Sequence, residues 1–177
     1  MLANSYGMVW KLFVLRMFGL PFDKPDRTHF QFDIFLYYAS TEDQDLLSWI
    51  FTTFRQEMED MRSLRMCIPD RNFDVGVSTA DEIVTGINNS WKTVIFVTEK
   101  FLEDEWCFFT LSSALYSTTT LMPKRVLLLY TQDVLDKGTS LPPVLDQLLD
   151  QGTAMELDTD SDDDWWAELQ EKVLAWM

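Results

Sequence analysis

The 177-residue sequence predicts a single α/β domain, an open parallel sheet of five strands with helices on both faces. Three observations carry this prediction. Short apolar runs alternate along the chain with longer segments whose apolar residues recur at helical spacing. The runs are nearly continuous rather than alternating, as strands buried on both faces require. Helix-start signals follow the runs, so each connection can form the helix of a right-handed crossover. In such a sheet, sites form beyond the carboxyl ends of the strands, here after Tyr38, Ile68 and Thr98.

Residues 30–38, Phe-Gln-Phe-Asp-Ile-Phe-Leu-Tyr-Tyr, read as the central strand. Asp33 is its one charge, and a carboxylate there is costly unless a backbone amide or a cation satisfies it. Residues 41–44 read as a capping box, and Leu46, Leu47, Ile50, Phe51, Phe54 and Met58 give the next helix one apolar face. Residues 64–68 are the second strand. A further capping box is expected at residues 79–82, opening a helix packed through Ile83, Val84 and Ile87. Residues 93–98, Thr-Val-Ile-Phe-Val-Thr, are β-branched and form the third strand.

Asp104 is placed to cap the following helix, in which Trp106, Cys107, Phe108, Leu111, Ala114 and Leu115 are expected to pack inward. The fourth strand spans residues 126–130, and a looser segment through Gly138 leads to a short helix at 144–149. Residues 152–157 have room only for an edge strand. Three carboxylates at the start of the last helix, residues 161–164, suit the helix dipole, and Trp165, Trp166, Leu169, Val173 and Trp176 form its apolar stripe.

The net charge of −15, from 14 basic and 29 acidic residues, opposes nucleic acid or an anionic membrane as a non-specific partner and favours a basic one. Cys67 and Cys107 show no secreted-domain pattern and read as reduced thiols in a cytoplasmic protein. With a single histidine, His29, no zinc cluster is available, and a Cys107–His29 nucleophile pair is disfavoured. Residues 1–29 form an apolar amino-terminal extension in which Trp10, Phe13, Val14, Met17 and Phe18 recur at helical spacing. Two readings stand for residues 1–22: a helix packed on the domain or on another copy, or a juxtamembrane segment with Lys11 and Arg16 facing headgroups.

No GxGxxG or GxxxxGK[ST] spacing follows a strand, no GxSxG elbow is present, and residues 158–164 lack the glycine and terminal glutamate of a calcium loop. What remains is the stretch 67–76, Cys-Ile-Pro-Asp-Arg-Asn-Phe-Asp-Val-Gly. Pro69 ends strand pairing, and a polar loop follows in which Phe73 has no periodic apolar neighbour. Read locally, it is either a plain strand-to-helix connection or a recognition loop displaying Arg71 and Phe73.

Three ordered boxes resemble the Toll/interleukin-1 receptor (TIR) domain family. Residues 32–40 are similar to its opening strand, 67–76 to its BB loop between the second strand and second helix, and Trp165-Trp166 to its Phe-Trp box. Residues 90–97 and the Trp106-Cys107 pair also match. The resemblance covers about residues 30–177, which would constitute the TIR domain, and implies a flavodoxin-like fold and innate-immune signalling through homotypic TIR assembly without catalysis.

The interaction residues it implies are Asp70, Arg71, Asn72, Phe73, Asp74, Val75, Gly76 and Val77 in the BB loop and Asp104, Glu105 and Trp106 in the third-helix region. Asp33, Trp165 and Trp166 are assigned structural roles. No catalytic residue, metal or cofactor is expected, and the partners are other TIR domains, including further copies of the chain. The chain is expected on the cytoplasmic side, as a receptor tail or a free adaptor.

Two departures matter. NAD-cleaving members carry a glutamate four residues after the third-helix tryptophan, and that position here is Thr110, whose hydroxyl cannot supply a carboxylate's charge. Toll-type members carry Arg-Asp-Phe-x-Pro-Gly, where this chain has Asn72 and Val75 in place of the aspartate and proline. An NAD hydrolase and an inhibitory decoy are the alternatives.

Overall fold

The structure, a computed structural model, describes residues 26–117, 125–136, 142–150 and 153–175. The apolar extension, with Trp10, Lys11, Phe13, Val14, Arg16, Met17 and Phe18, lies outside the described residues, as do Gly138 and Trp176. Five strands, β1 (Phe32–Tyr37), β2 (Met66–Cys67), β3 (Ser90–Val97), β4 (Val126–Tyr130) and β5 (Ala154–Glu156), form one sheet in the order β2-β1-β3-β4-β5. All pairs are parallel, with Phe35 beside Cys67 and Thr93, and Ile95 beside Leu128. This is the predicted open parallel architecture, with β1, β3 and β4 inside and buried along nearly their whole length.

Alternate residues of each strand feed two cores, one on each face. On one side Ile34, Leu36, Val94, Phe96 and Leu129 pack with Ile50, Phe54, Met58, Trp166 and Leu169. On the other, Phe35, Tyr37, Ile95 and Leu128 pack with Ile83, Ile87, Phe101, Cys107 and Leu111. The first layer uses α1 (Gln44–Trp49), continued by π-helical turns at Ile50–Phe54 and Gln56–Met61, and the carboxyl-terminal helix Asp163–Leu174. The second uses α3 (Thr79–Asn88) and α5 (Glu105–Ser117), which pack together, while the short helices α2 (Pro69–Asn72) and α4 (Glu99–Glu103) precede α3 and α5 respectively. Helices α6 (Gln132–Asp136), α7 (Pro143–Asp150) and α8 (Asp163–Leu174) complete the chain.

Several local expectations require correction. The helix after β1 begins at Gln44 with Asp43 as its cap residue, so residues 41–44 form no capping box. α3 is capped by Ser78, one residue before the expected Thr79, and without a side-chain bond. The segment after β4 contains α6 rather than a loose connection. By contrast, Asp104 Oδ1 accepts from the Trp106 amide at 2.8 Å and Asp162 Oδ1 from the Trp165 amide at 3.1 Å, so both acidic helix starts serve as caps.

Candidate functional site

β1 and β3 are adjacent, but the chain winds outward from them in opposite directions, to β2 on one side and β4 on the other. Their carboxyl ends therefore border the crevice where open α/β sheets place their sites. Thr98, just after β3, donates to a Glu42 carboxylate oxygen and accepts from the Phe101 amide at 3.1 Å. Ser40 Oγ donates to Asp104 Oδ2 at 3.3 Å, joining the loop after β1 to the start of α5. Glu42 was not singled out by the sequence, because a glutamate among Ser, Thr and Asp at a helix start looks like capping chemistry. Instead it turns inward, is buried, and burial pushes its carboxyl above the usual range.

That burial has a testable consequence. A folded pKa above the unfolded value means stability that is present at low pH and lost as pH rises through the folded value. Glu42→Gln keeps an acceptor for Thr98 and removes the buried charge. It should raise the melting midpoint at neutral pH by about 2–4 °C, the shift for roughly 1 kcal/mol in a domain of this size. Below about pH 4, where Glu42 is protonated folded or unfolded, the two proteins should melt together. An advantage that persists in acid would assign the effect to packing.

The stretch 67–76, similar in sequence to a BB loop, is more ordered than its composition predicts. Pro69 opens the one-turn helix α2, where its missing N–H costs nothing, rather than an irregular loop. Asn72 Oδ1 accepts from the Ile68 amide at 2.9 Å and from Arg71 Nε at 3.1 Å. Arg71 forms a two-pronged pair with Glu59, at 2.9 and 2.8 Å, and also donates to the Met66 carbonyl. Tyr38 donates to Asp70 Oδ2 at 2.5 Å, and burial pushes its phenol upward.

Phe73, expected to stand exposed, is half-buried and stacks on Phe35 with centroids 6.3 Å apart. One helical turn after the strand brings it back over the sheet, where an apolar ring gains by burial. What projects is the segment Asp74 to Val77. Val75 is fully exposed, Gly76 has φ +93°, a backbone that favours glycine, and Val77 is about half exposed.

On α5, Cys107 and Thr110 face the core, and burial raises the Cys107 thiol, leaving little thiolate for nucleophilic chemistry. His29 lies in the turn Arg27–His29 before β1. Thr110 is fully buried and donates to the Trp106 carbonyl at 2.8 Å. Beside it, burial pushes the Tyr37 phenol up to about 12. Trp106, expected in the core, is instead exposed with Glu105. It falls on the outer side of the helix, about 100° around from Cys107 and about 40° from Thr110.

The residues assigned structural roles lie apart from the crevice. Asp33, at the amino end of β1, accepts from the Arg65 amide at 2.8 Å and from its guanidinium at 3.0 and 2.9 Å, which ties β1 to β2. Trp166 is buried against Trp49 and Phe54, and Trp165 Nε1 donates to the Glu156 carbonyl at 2.9 Å. Among the described residues, no group of three or more His, Cys, Asp or Glu is arranged to hold a metal ion, and no helix is long and apolar enough to cross a membrane.

A family model described as the TIR domain matches residues 31–139. Toll-like receptor 3 of Boselaphus tragocamelus is 30% identical over 99 residues, covering 55% of this chain and 10% of the receptor. Toll-like receptor 4 of Pinctada imbricata is 29% identical over 89 residues, covering 50% of this chain and 10% of the receptor. The chain thus matches about a tenth of the length of these curated relatives. Among solved structures, the TIR domain of a Toll-related receptor from Hydra magnipapillata superposes with a TM-score of 0.58 at 17% identity, covering 81% of this chain and 98% of that one. A TIR-STING receptor from C. gigas gives 0.60 at 20% identity, covering 85% and 42%. At these identities the structural likeness speaks to the fold.

Proposed function

The chain belongs to the TIR domain family, and from that premise we propose that it relays innate-immune signals by docking on other TIR domains, without catalysis. The observation that carries this reading is the BB-loop stretch, whose base is fastened by Tyr38–Asp70, Arg71–Glu59 and Phe73–Phe35 while Val75 stands fully exposed at its tip. A pre-ordered base lowers the entropy lost when the tip is immobilised against a partner. Non-catalysis is supported by Thr110, a buried hydroxyl bonded to helix backbone where the NAD-cleaving members have a carboxylate. The proposed unit is residues 30–177, acting on the cytoplasmic side with residues 1–29 as an extension.

The test follows from exposure. Val75→Asp places a charge where nothing packs, so folding should be untouched and docking should suffer. In cells carrying a Toll-pathway reporter, the variant should lose most of the wild-type effect on output while its melting midpoint stays unchanged. Raised output by the wild-type chain marks a relay, and suppressed output marks a decoy. An unchanged effect in the variant would sink the loop assignment. Nicotinamide release from NAD by the purified chain would overturn the non-catalytic reading.

A further inference from the structure

We propose that the outward face of α5 docks a TIR domain whose facing surface is basic, so that this chain pairs with a different family member rather than with another copy of itself. The proposal rests on the TIR-docking reading above and names the chemistry of the partner. At about 100° per residue, Glu105, Trp106, Phe109, Ser112, Ser113 and Tyr116 share one side of the helix, with the buried Cys107, Leu111 and Ala114 on the other and Thr110 at the border. Three of the six are aromatic and exposed, Trp106 by 44%, Phe109 by 36% and Tyr116 by 75%. Trp106 and Phe109 form an edge-to-face pair with centroids 5.7 Å apart. Scattered exposed apolar residues need no explanation, whereas three exposed aromatics on one face of one helix, two of them in contact, make a patch, and aromatic anchors are what interface centres favour.

The charge around the patch decides the occupant. α5 itself contains no lysine or arginine. Glu103, Asp104 and Glu105 stand at its start, and Asp81 and Glu82 lie on α3, the helix packed beside it. From residue 73 to 117 the carboxylates are Asp74, Asp81, Glu82, Glu99, Glu103, Asp104 and Glu105, against Lys92 and Lys100 alone. Lys92 is buried in β3, and Lys100 pairs with Glu103 at 3.5 Å. The amino-terminal end of the face is therefore acidic. Two copies meeting through this face would set like charges against each other, as would an anionic bilayer, while a partner bearing lysines or arginines around an apolar centre meets complementary charge.

The test uses the full chain and two labelled helical peptides that share a leucine stripe, one flanked by lysines and one by glutamates. Anisotropy is read at about 50 mM and about 500 mM salt, where the screening length falls severalfold, and self-association is followed by sedimentation. The lysine-flanked peptide should bind in low salt, weaken in high salt, and lose at least about tenfold in affinity for Phe109→Ser/Tyr116→Ser. Glu105→Lys, on the same face, should weaken the lysine peptide and strengthen the glutamate peptide. The wild-type chain should sediment as a monomer.

Equal binding of both peptides, binding undiminished by the serine variant, or a dimer that the serine variant dissociates would each overturn the proposal. If peptide discrimination fails while Val75→Asp still abolishes reporter output, this surface is wrong and the TIR-docking reading survives. If discrimination holds while Val75→Asp changes nothing, the loop assignment falls and the α5 surface stands without it.

Discussion

Arg65→Ala is expected to lower stability by about 2–4 kcal/mol at neutral pH, the loss that follows when one partner of a buried ion pair is removed. Asp33 is 2% exposed and takes three bonds from Arg65, two of them from the guanidinium. The same guanidinium donates to the Phe30 carbonyl at 2.9 Å. After the substitution, the carboxylate would keep only the Arg65 amide and a 3.5 Å approach by Arg27, itself partly exposed. The exposure of the Arg65 side chain, 48%, screens the pair from outside and holds the expected loss below that of a fully enclosed one.

The pH dependence separates this ion pair from simple loss of packing. Burial alone would raise the Asp33 carboxyl, but the Arg65 bonds and the nearby Arg27 charge more than offset it, and Asp33 ends below its usual range. A depressed folded pKa gives stability that is full above the unfolded value of about 3.9 and is lost as pH falls through the folded one. In Arg65→Ala, burial is opposed only by the residue-65 amide and the Arg27 charge. The difference between wild type and variant, measured by denaturant unfolding, should therefore be large at pH 7 and shrink steadily in acid. A constant difference would mean that the side chain acts through its apolar stem.

Asp33 also marks how far the sequence reaches. Its position inside an apolar run announces that an amide or a cation must satisfy it, and both come from Arg65. The partner is 32 residues away, and no period or cap relates the two. The sheet, the helical layers and the acidic caps were legible because each is written in local spacing: continuous apolar runs, stripes at i, i+3 and i+4, a carboxylate at a helix start. The candidate site was legible only in location. That Phe73 folds back on Phe35, that Arg71 is held by Glu59, and that Glu42 turns inward to Thr98 are contacts across elements. The misplacement of Trp106 has a related cause. α5 is apolar nearly all round, so its pattern does not say which side faces the sheet, and packing on α3 and β3 settles it.

Gly86→Ala should destabilise the chain even though alanine is the better helix former. Gly86 lies within α3, where alanine would gain about 1 kcal/mol in helix propensity. Its new Cβ, however, would stand 2.6 and 2.8 Å from two ring carbons of Phe35, closer than real Cβ contacts come. The Phe35 ring is fully buried and stacked with Phe73, so it cannot swing into solvent. Overpacking of this kind costs about 1–3 kcal/mol, which outweighs the propensity gain. Phe35→Leu alone should destabilise as well, yet in the double variant the smaller side chain makes room, and a coupling of about 0.5–3 kcal/mol in the stabilising direction is expected. The geometry also links this helix to docking. A methyl at residue 86 presses on the ring that supports Phe73, and hence on the base from which Val75 projects. Assayed well below its melting point, Gly86→Ala should reduce reporter output by more than its unfolded fraction accounts for, whereas output that simply tracks folded protein would show the loop base to be independent of Phe35.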